Sequence, residues 1–262
     1  PSPQKPTAAE VLVSVAARKI EEIVQAKKYR LALCGIGVSN LAAWLAYYHL
    51  QRQGYLLELV AEIGYYGYRP QPADPYVFNL RNIDSCSMLS DIFTSLAIFM
   101  SGAHSFSVGI IGAGQVDKFG NVNTTRISAQ GPYLVGSGGA NDVASGASET
   151  IVTLEQTKER FPEKVDYITS PGEKVSTVVT QLGTFEKEPG RNELILTGYV
   201  SAGDKASEED IVREIKQGCG WNLKVKNELR VFAPPSDEDV LFIRCFDPKR
   251  YFLGSTERKK VK

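Results

Sequence analysis

Between residues 7 and 61 the sequence switches period four times, and this alternation limits the available folds more than any other feature. Residues 7–28 carry apolar Val11, Val15, Ile20, Ile23 and Val24 at nearly helical spacing. Thr7 with Glu10 three positions on has the pattern of a capping box, which predicts a helix start. Residues 30–34 (RLALC) form a short apolar run that reads as a buried strand, followed by Gly35-Ile-Gly37 and the apolar helix LAAWLAYYHL. Residues 56–61 (LLELVA) read as a second strand. Helix, strand, turn, helix, strand implies a parallel sheet with crossover helices.

The remainder extends that pattern. Residues 62–91 read as a loop-rich segment and 106–111 (FSVGII) as a third strand. No charge occurs between Asp91 and Asp117, but the turn formers after Met100 divide that stretch. It reads as a buried helix, a turn and a buried strand, with no membrane span. Residues 112–141 are Gly-, Asn- and Ser-rich, as long functional loops tend to be. Residues 150–154 and 165–168 read as further strands, and 176–185 with 193–200 as a hairpin around Glu188-Pro-Gly-Arg191. Ser207 with Asp210 caps a helix over 207–217, and the last seven residues read as a basic frayed tail. Without a repeat or low-complexity linker, residues 1–262 are expected to form a single α/β domain. Its expected form is an open, mostly parallel sheet with flanking helices and a β-rich C-terminal extension.

Composition then removes function classes. Lys+Arg and Asp+Glu are both 30, which argues against a general nucleic-acid binder. Cys34, Cys86, Cys219 and Cys245 are far apart, and His49 and His104 are isolated, so neither a disulfide framework nor a metal site is expected. Four free thiols and a polar, Pro-rich start unlike a signal peptide point to the cytoplasm. Gly35-Ile-Gly37 invites a dinucleotide fingerprint, but its third position is Asn40 and no acidic residue stands clearly at the usual place.

Two other features carry chemistry. Glu62 directly follows a strand, at the edge where open α/β sheets bind ligands, although a solvated loop glutamate would fit the same position. Gly136-Ser-Gly-Gly-Ala-Asn-Asp142 offers consecutive backbone N–H groups that can stabilise an oxyanion or hold a phosphate. The G-K-[ST] of a phosphate loop is absent.

Taken together, IGAGQVDKFGNVNTT (111–125) and VGSGGANDVAS (135–145) resemble the paired motifs of family I coenzyme A transferase β subunits, the glutaconate CoA-transferase type above all. Glu62-Ile-Gly64 resembles the E-x-G of that family, and Tyr167-Ile-Thr-Ser-Pro-Gly172 its Y-[VI]-T-S-P-G segment. The similarity runs over most of residues 10–250. It implies a catalytic Glu62 that attacks an acyl-CoA thioester and comes to carry CoA itself. It implies an oxyanion and CoA site built from Gly112, Ala113, Gln115, Asn123, Gly138, Gly139, Ala140 and Asn141. Arg69 would pair with a substrate carboxylate, or else be an ordinary surface arginine. Tyr65, Tyr66 and Tyr68 would wall an acyl group or pack a subunit interface, and Gln115, Asn121 and Asn123 would brace the loops.

The same resemblance implies no cofactor or metal beyond CoA as substrate, no nucleic-acid or membrane partner, and an α subunit of similar size in an α₂β₂ assembly. The G-x-G-G-F motif of that α subunit is missing from this chain. There are departures: Ile63 stands where the family commonly has a small residue, and YYGYRPQPADP is longer and more aromatic. Relatives of this fold that hydrolyse ring-derived CoA thioesters or decarboxylate glutaconyl-type ones have lost the glutamate, so Glu62 favours transfer. A regulatory relative that senses sugar phosphates would carry a basic helix-turn-helix, and neither end reads as one.

Overall fold

The computed structural model describes residues 5–102, 105–128, 130–203 and 206–254. The basic tail after Gly254 and His104 lie outside the described residues. Helix α1 (Ala8–Lys27) begins with the capping box: the Thr7 backbone N–H donates to Glu10 and the Glu10 N–H to the Thr7 hydroxyl. It ends where Lys28 turns left-handed at φ 57°. Strand β1 (Leu31–Cys34), helix α2 (Val38–Arg52) and strand β2 (Glu58–Ala61) follow as the alternation requires.

Ten strands form one sheet. Short β3 (Tyr65–Tyr66) and β4 (Met88–Leu89) extend it beyond β2. On the other side of β1 come β5 (Ser107–Gly112), β8 (Glu149–Thr153), β9 (Val175–Val179), β10 (Gly183–Lys187), β11 (Leu194–Val200) and β12 (Val225–Phe232). The order is β12-β11-β10-β9-β8-β5-β1-β2-β3-β4. The β2-β1-β5-β8-β9 half is parallel throughout. The β9–β10 and β10–β11 pairs are antiparallel. A detached hairpin pairs β6 (Gln115–Val116) with β7 (Val122–Asn123). Helices α3 (Ala140–Gly146), α4 (Glu208–Gln217) and α5 (Asp237–Phe246) complete the chain.

The central strands are buried on both faces with period two. Ala32, Cys34, Leu59, Val108 and Ile110 join α1, α2 and α5 in one core. Leu33, Val60 and Ile111 join Val143, Ala144 and Ile215 in the other. Trp44 and Tyr68 are fully buried, and the indole N–H donates to the phenol at 3.0 Å. No helix among the described residues is long and apolar enough to cross a membrane.

Three local expectations are corrected. Residues 165–168 are not a strand: they run as bends, with Tyr167 and Ile168 exposed. The segment after Asp91 is a wide, π-type helix over Thr94–Met100, and it is only partly buried, through Ser95 and Met100. Ile92, Phe93 and Ile98 are more than half exposed, so each forgoes roughly 1–2 kcal/mol that full burial would contribute. Residues 176–185 span two strands, because the chain reverses at Thr180, whose hydroxyl accepts from the Leu182 and Gly183 backbone N–H groups. Residues 62–91 are loop-rich as expected, with only β3, β4 and a 3₁₀ turn at Leu80–Ser85 between the loops.

Candidate active site

The parallel strands β2, β1 and β5 end together, and a cavity of about 590 Å³ opens at those ends. Its floor is Leu33, Cys34, Ile111 and Gly112; Glu62 stands at its side. This is the carboxyl edge at which open α/β sheets take ligands.

A tight turn aims Glu62. The Gly64 N–H returns to the Ala61 carbonyl at 3.0 Å, and the Gly64 carbonyl accepts from Ser90 N at 2.8 Å. Gly64 sits at φ 107°, and a β-carbon there would lie 2.2 Å from the Ser90 oxygen. Only glycine satisfies both conditions. The E-x-G spacing is thus a local requirement: strand β2 must stop, present one side chain and double back toward β3.

Opposite stands the second glycine-rich loop. Val135 N donates to the Thr124 carbonyl and Leu134 N to the Thr125 carbonyl, so residues 134–135 are laced to the end of the first motif. Gly136, Ser137, Gly138, Gly139 and Ala140 then line the cavity. Burial raises the pKa of Glu62 above the ordinary carboxylate value. The Gly139 backbone N–H bonds the carboxyl and pulls the other way, while the negative charge of Asp142 adds to the rise. The result is a partly desolvated carboxylate facing a small-residue loop, the condition under which such a group works as a nucleophile.

Gln115 and Asn123 brace the loops and do not line the cavity. The Asn123 amide donates to Gln115 Oε1 at 2.8 Å, and its own oxygen accepts from the Thr125 and Arg126 backbone N–H groups. Gln115 Nε2 donates to Asp166 at 2.9 Å. Asn121 Nδ2 bonds Asp117, and its oxygen accepts from Gly172 N at 2.9 Å, tying the first motif to the Thr-Ser-Pro-Gly segment.

Gly112, Ala113, Gly138, Gly139 and Ala140 are brought together with Glu62; Asn141 is exposed and pairs with Ser145 on α3. Arg69 is exposed and outside the cavity, with its guanidinium bonded to Tyr47. Tyr65 and Tyr68 are core residues, and Tyr66 packs on Phe99 at 4.8 Å between ring centroids. Asn40 accepts from Gly37 N and donates to the Pro75 carbonyl, so the first glycine turn is closed by its own helix.

Sequence reasoning missed Phe78, Thr124, Leu134 and Val135 on the cavity wall. It also missed Arg160, whose guanidinium holds the Ala113 and Gly114 carbonyls at 2.8 and 3.2 Å. Leu134 and Val135 adjoin Gly136 and could have been found from it; nothing in the sequence marks Arg160. Among the described residues no group of three or more His, Cys, Asp or Glu side chains could hold a metal ion.

Residues 93–200 match the family model described as Coenzyme A transferase. The chain is 30% identical over 163 residues to the β subunit of 3-oxoadipate CoA-transferase from Pseudomonas knackmussii. The match covers 54% of this chain and 59% of that protein. It is 30% identical over 168 residues to the β subunit of glutaconate CoA-transferase from Acidaminococcus fermentans, covering 56% and 59%. These matches therefore span about three-fifths of each relative's length. The crystal structure of glutaconate coenzyme A-transferase from Acidaminococcus fermentans superposes with TM-score 0.75 at 23% identity, over 96% of this chain and 98% of that one. The decarboxylase AibA/AibB superposes with TM-score 0.68 at 22% identity, over 94% and 96%. At such identities the superpositions establish a shared fold.

Proposed function

We propose, from the premise that residues 93–200 belong to the Coenzyme A transferase family, that this chain is the β-type subunit of a heteromeric CoA-transferase. Glu62 is its nucleophile. The observation that carries this reading is the placement of Glu62 against the Gly139 N–H at the mouth of the parallel strands.

A Glu62 carboxylate oxygen attacks the carbonyl carbon of an acyl-CoA thioester. Backbone N–H groups of the 138–140 loop meet the negative charge that develops on the carbonyl oxygen. The C–S bond breaks, CoA leaves as thiolate, and an acyl-glutamyl anhydride remains. The thiolate attacks the glutamyl carbonyl and expels the acid as a carboxylate, leaving Glu62 as a CoA thioester. An acceptor carboxylate attacks that thioester and the two steps run in reverse, which regenerates Glu62. The proton count does not change, and CoA is substrate rather than cofactor. Gln115, Asn121, Asn123 and Arg160 act as positioning residues through the loops they hold.

The β-subunit relatives support an α-type partner for this chain, and we propose an α₂β₂ assembly. The exposed Ile92, Phe93 and Ile98 give such a partner an apolar surface to cover. All four cysteines are unpaired, which fits a reducing cytoplasm.

The test is the intact mass of this chain after the assembled enzyme meets acyl-CoAs without an acceptor acid. A CoA-sized adduct on Glu62 is expected. Absence of an adduct, with free CoA or carbon dioxide accumulating and no need for a second acid, would move the enzyme to hydrolysis or decarboxylation on the same fold.

A further inference from the structure

The wall around Glu62 is mostly apolar, with Leu33, Ile36, Phe78, Leu134, Val135 and Val143 beside glycine backbone, and its neutral polar side chains are the hydroxyls of Thr124 and Ser137. Among the described residues, Glu62 is the only charged side chain on that wall. Its charge is negative, and Asp142 adds a second negative charge in its vicinity. Among the described residues no Lys or Arg side chain lines the cavity. Arg160 holds the carbonyls of Ala113 and Gly114. The Arg126 Nε donates to the Ser128 carbonyl. Arg69 reaches Tyr47 on α2.

A substrate whose acyl group ends in a second carboxylate would bring that charge into an apolar cavity that already holds an anion. The charge would lose its hydration and meet repulsion from Glu62 with no cation to offset it, while the loop N–H groups serve the reacting carbonyl. A hydrocarbon acyl chain meets the opposite situation, because every apolar surface it covers leaves water. The cavity is of the size that takes drug-like ligands, so the chain need not be short.

We propose that this enzyme moves CoA between monocarboxylic acids whose acyl chains are uncharged and apolar. The two named relatives act on glutaconate and 3-oxoadipate, which are dicarboxylic acids. The proposal rests on the transferase reading for the word "moves" and on the wall of this chain for the substrate class.

The test uses the complex of this chain with its α-type partner. Hexanoyl-CoA and adipoyl-CoA have equal chain length and differ by one terminal carboxylate. With acetate as acceptor, kcat/KM is expected to favour hexanoyl-CoA by about 100-fold, the factor expected from one unpaired buried charge. Equal rates, or a preference for adipoyl-CoA, would overturn the proposal and mean that the partner subunit supplies a cation. Leu134→Arg places a cation on the wall and should narrow the ratio by about tenfold; an unchanged ratio counts against the wall as its source. Calorimetric binding of the two thioesters to the Glu62→Gln complex separates the two readings. Tighter hexanoyl-CoA supports the wall even where no transfer is detected, and tighter or equal adipoyl-CoA refutes it even where transfer proceeds.

Discussion

A β-carbon placed on Gly139 would lie 2.3 Å from Oε2 of Glu62. The obstructed atom is the end of a flexible side chain, and Gly139 itself sits at φ −80°, which alanine accepts. Gly139→Ala is therefore expected to fold normally while pushing the carboxylate off its N–H donor. Loss of about 10²–10³-fold in kcat with little change in Tm is the expected pattern. A variant as active as the parent would show that the contact between the two residues plays no part in turnover.

The raised pKa of Glu62 has a kinetic signature. In the proposed mechanism Glu62 must be ionised to attack, so kcat/KM should fall on the acid side with a midpoint above the ordinary glutamate value of 4.5. Asp142 contributes to the rise, so Asp142→Asn should move that limb to lower pH. A limb that moves upward in the variant contradicts the sign of the interaction.

Gly64 makes a different kind of demand. Its positive φ and the Ser90 backbone at 2.2 Å leave no room for a side chain, and backbone cannot swing aside as Glu62 can. Gly64→Ala should cost about 2–4 kcal/mol of unfolding free energy. Urea denaturation measures this, and a cost below about 1 kcal/mol would mean that the turn relaxes freely.

His49 predicts a pH dependence of stability. Hydrogen bonds to Asp239 and then Glu21 push its pKa up to about 9, the latter at 2.8 Å. The protonated ring joins α2 to α1 and α5. Because the folded value is raised, this stabilisation is complete below the ordinary 6.5 and disappears as the pH climbs through 9. Asp239 behaves inversely. Burial alone would raise its pKa, but bonds from His49 and Ser14 outweigh it and hold the value at about 2. Its contribution is lost on acidification from 3.8 toward 2. Urea midpoints at about pH 6 and about pH 10 should differ more for the parent than for His49→Gln. Identical differences would assign the alkaline loss to other groups.

The parts of the fold that were legible in the sequence are those where one local rule has one outcome. The Thr7–Glu10 box, the Ser207 cap and the buried runs of β1, β2 and β5 each name their element. Strand β12 was not legible, because most of its side chains are exposed and no alternation marks a face. Helix α5 carries the same signal as α4: Ser236 accepts from Asp239 N. It was missed although the signal was present. Val165–Ile168 shows the reverse error, since β-branched and aromatic residues read as a strand whether or not a neighbour pairs with them. The run around Phe93 reads as core, but only Met100 and Leu96 join it while Ile92, Phe93 and Ile98 face outward, and hydropathy alone does not distinguish the two sides of a helix this short. At the site, residue types announced Glu62 and the glycines. The wall residues Phe78 and Leu134 come from loops that only the tertiary structure brings together.

Two residues late in the sequence clasp helix α1: Arg244 and Arg250 both bond Glu10, in its first turn. Burial works against the Glu10 charge, yet these guanidinium bonds and the Thr7 N–H hold its pKa at about 2. Arg244 stands 234 positions after its partner. At about 5–20 residues per second of synthesis, that separation lasts about 10–50 s. Throughout that interval helix α1 has only its local cap, the Thr7 N–H on Glu10, and the charge pairing that lets this carboxylate be buried comes only when helix α5 arrives.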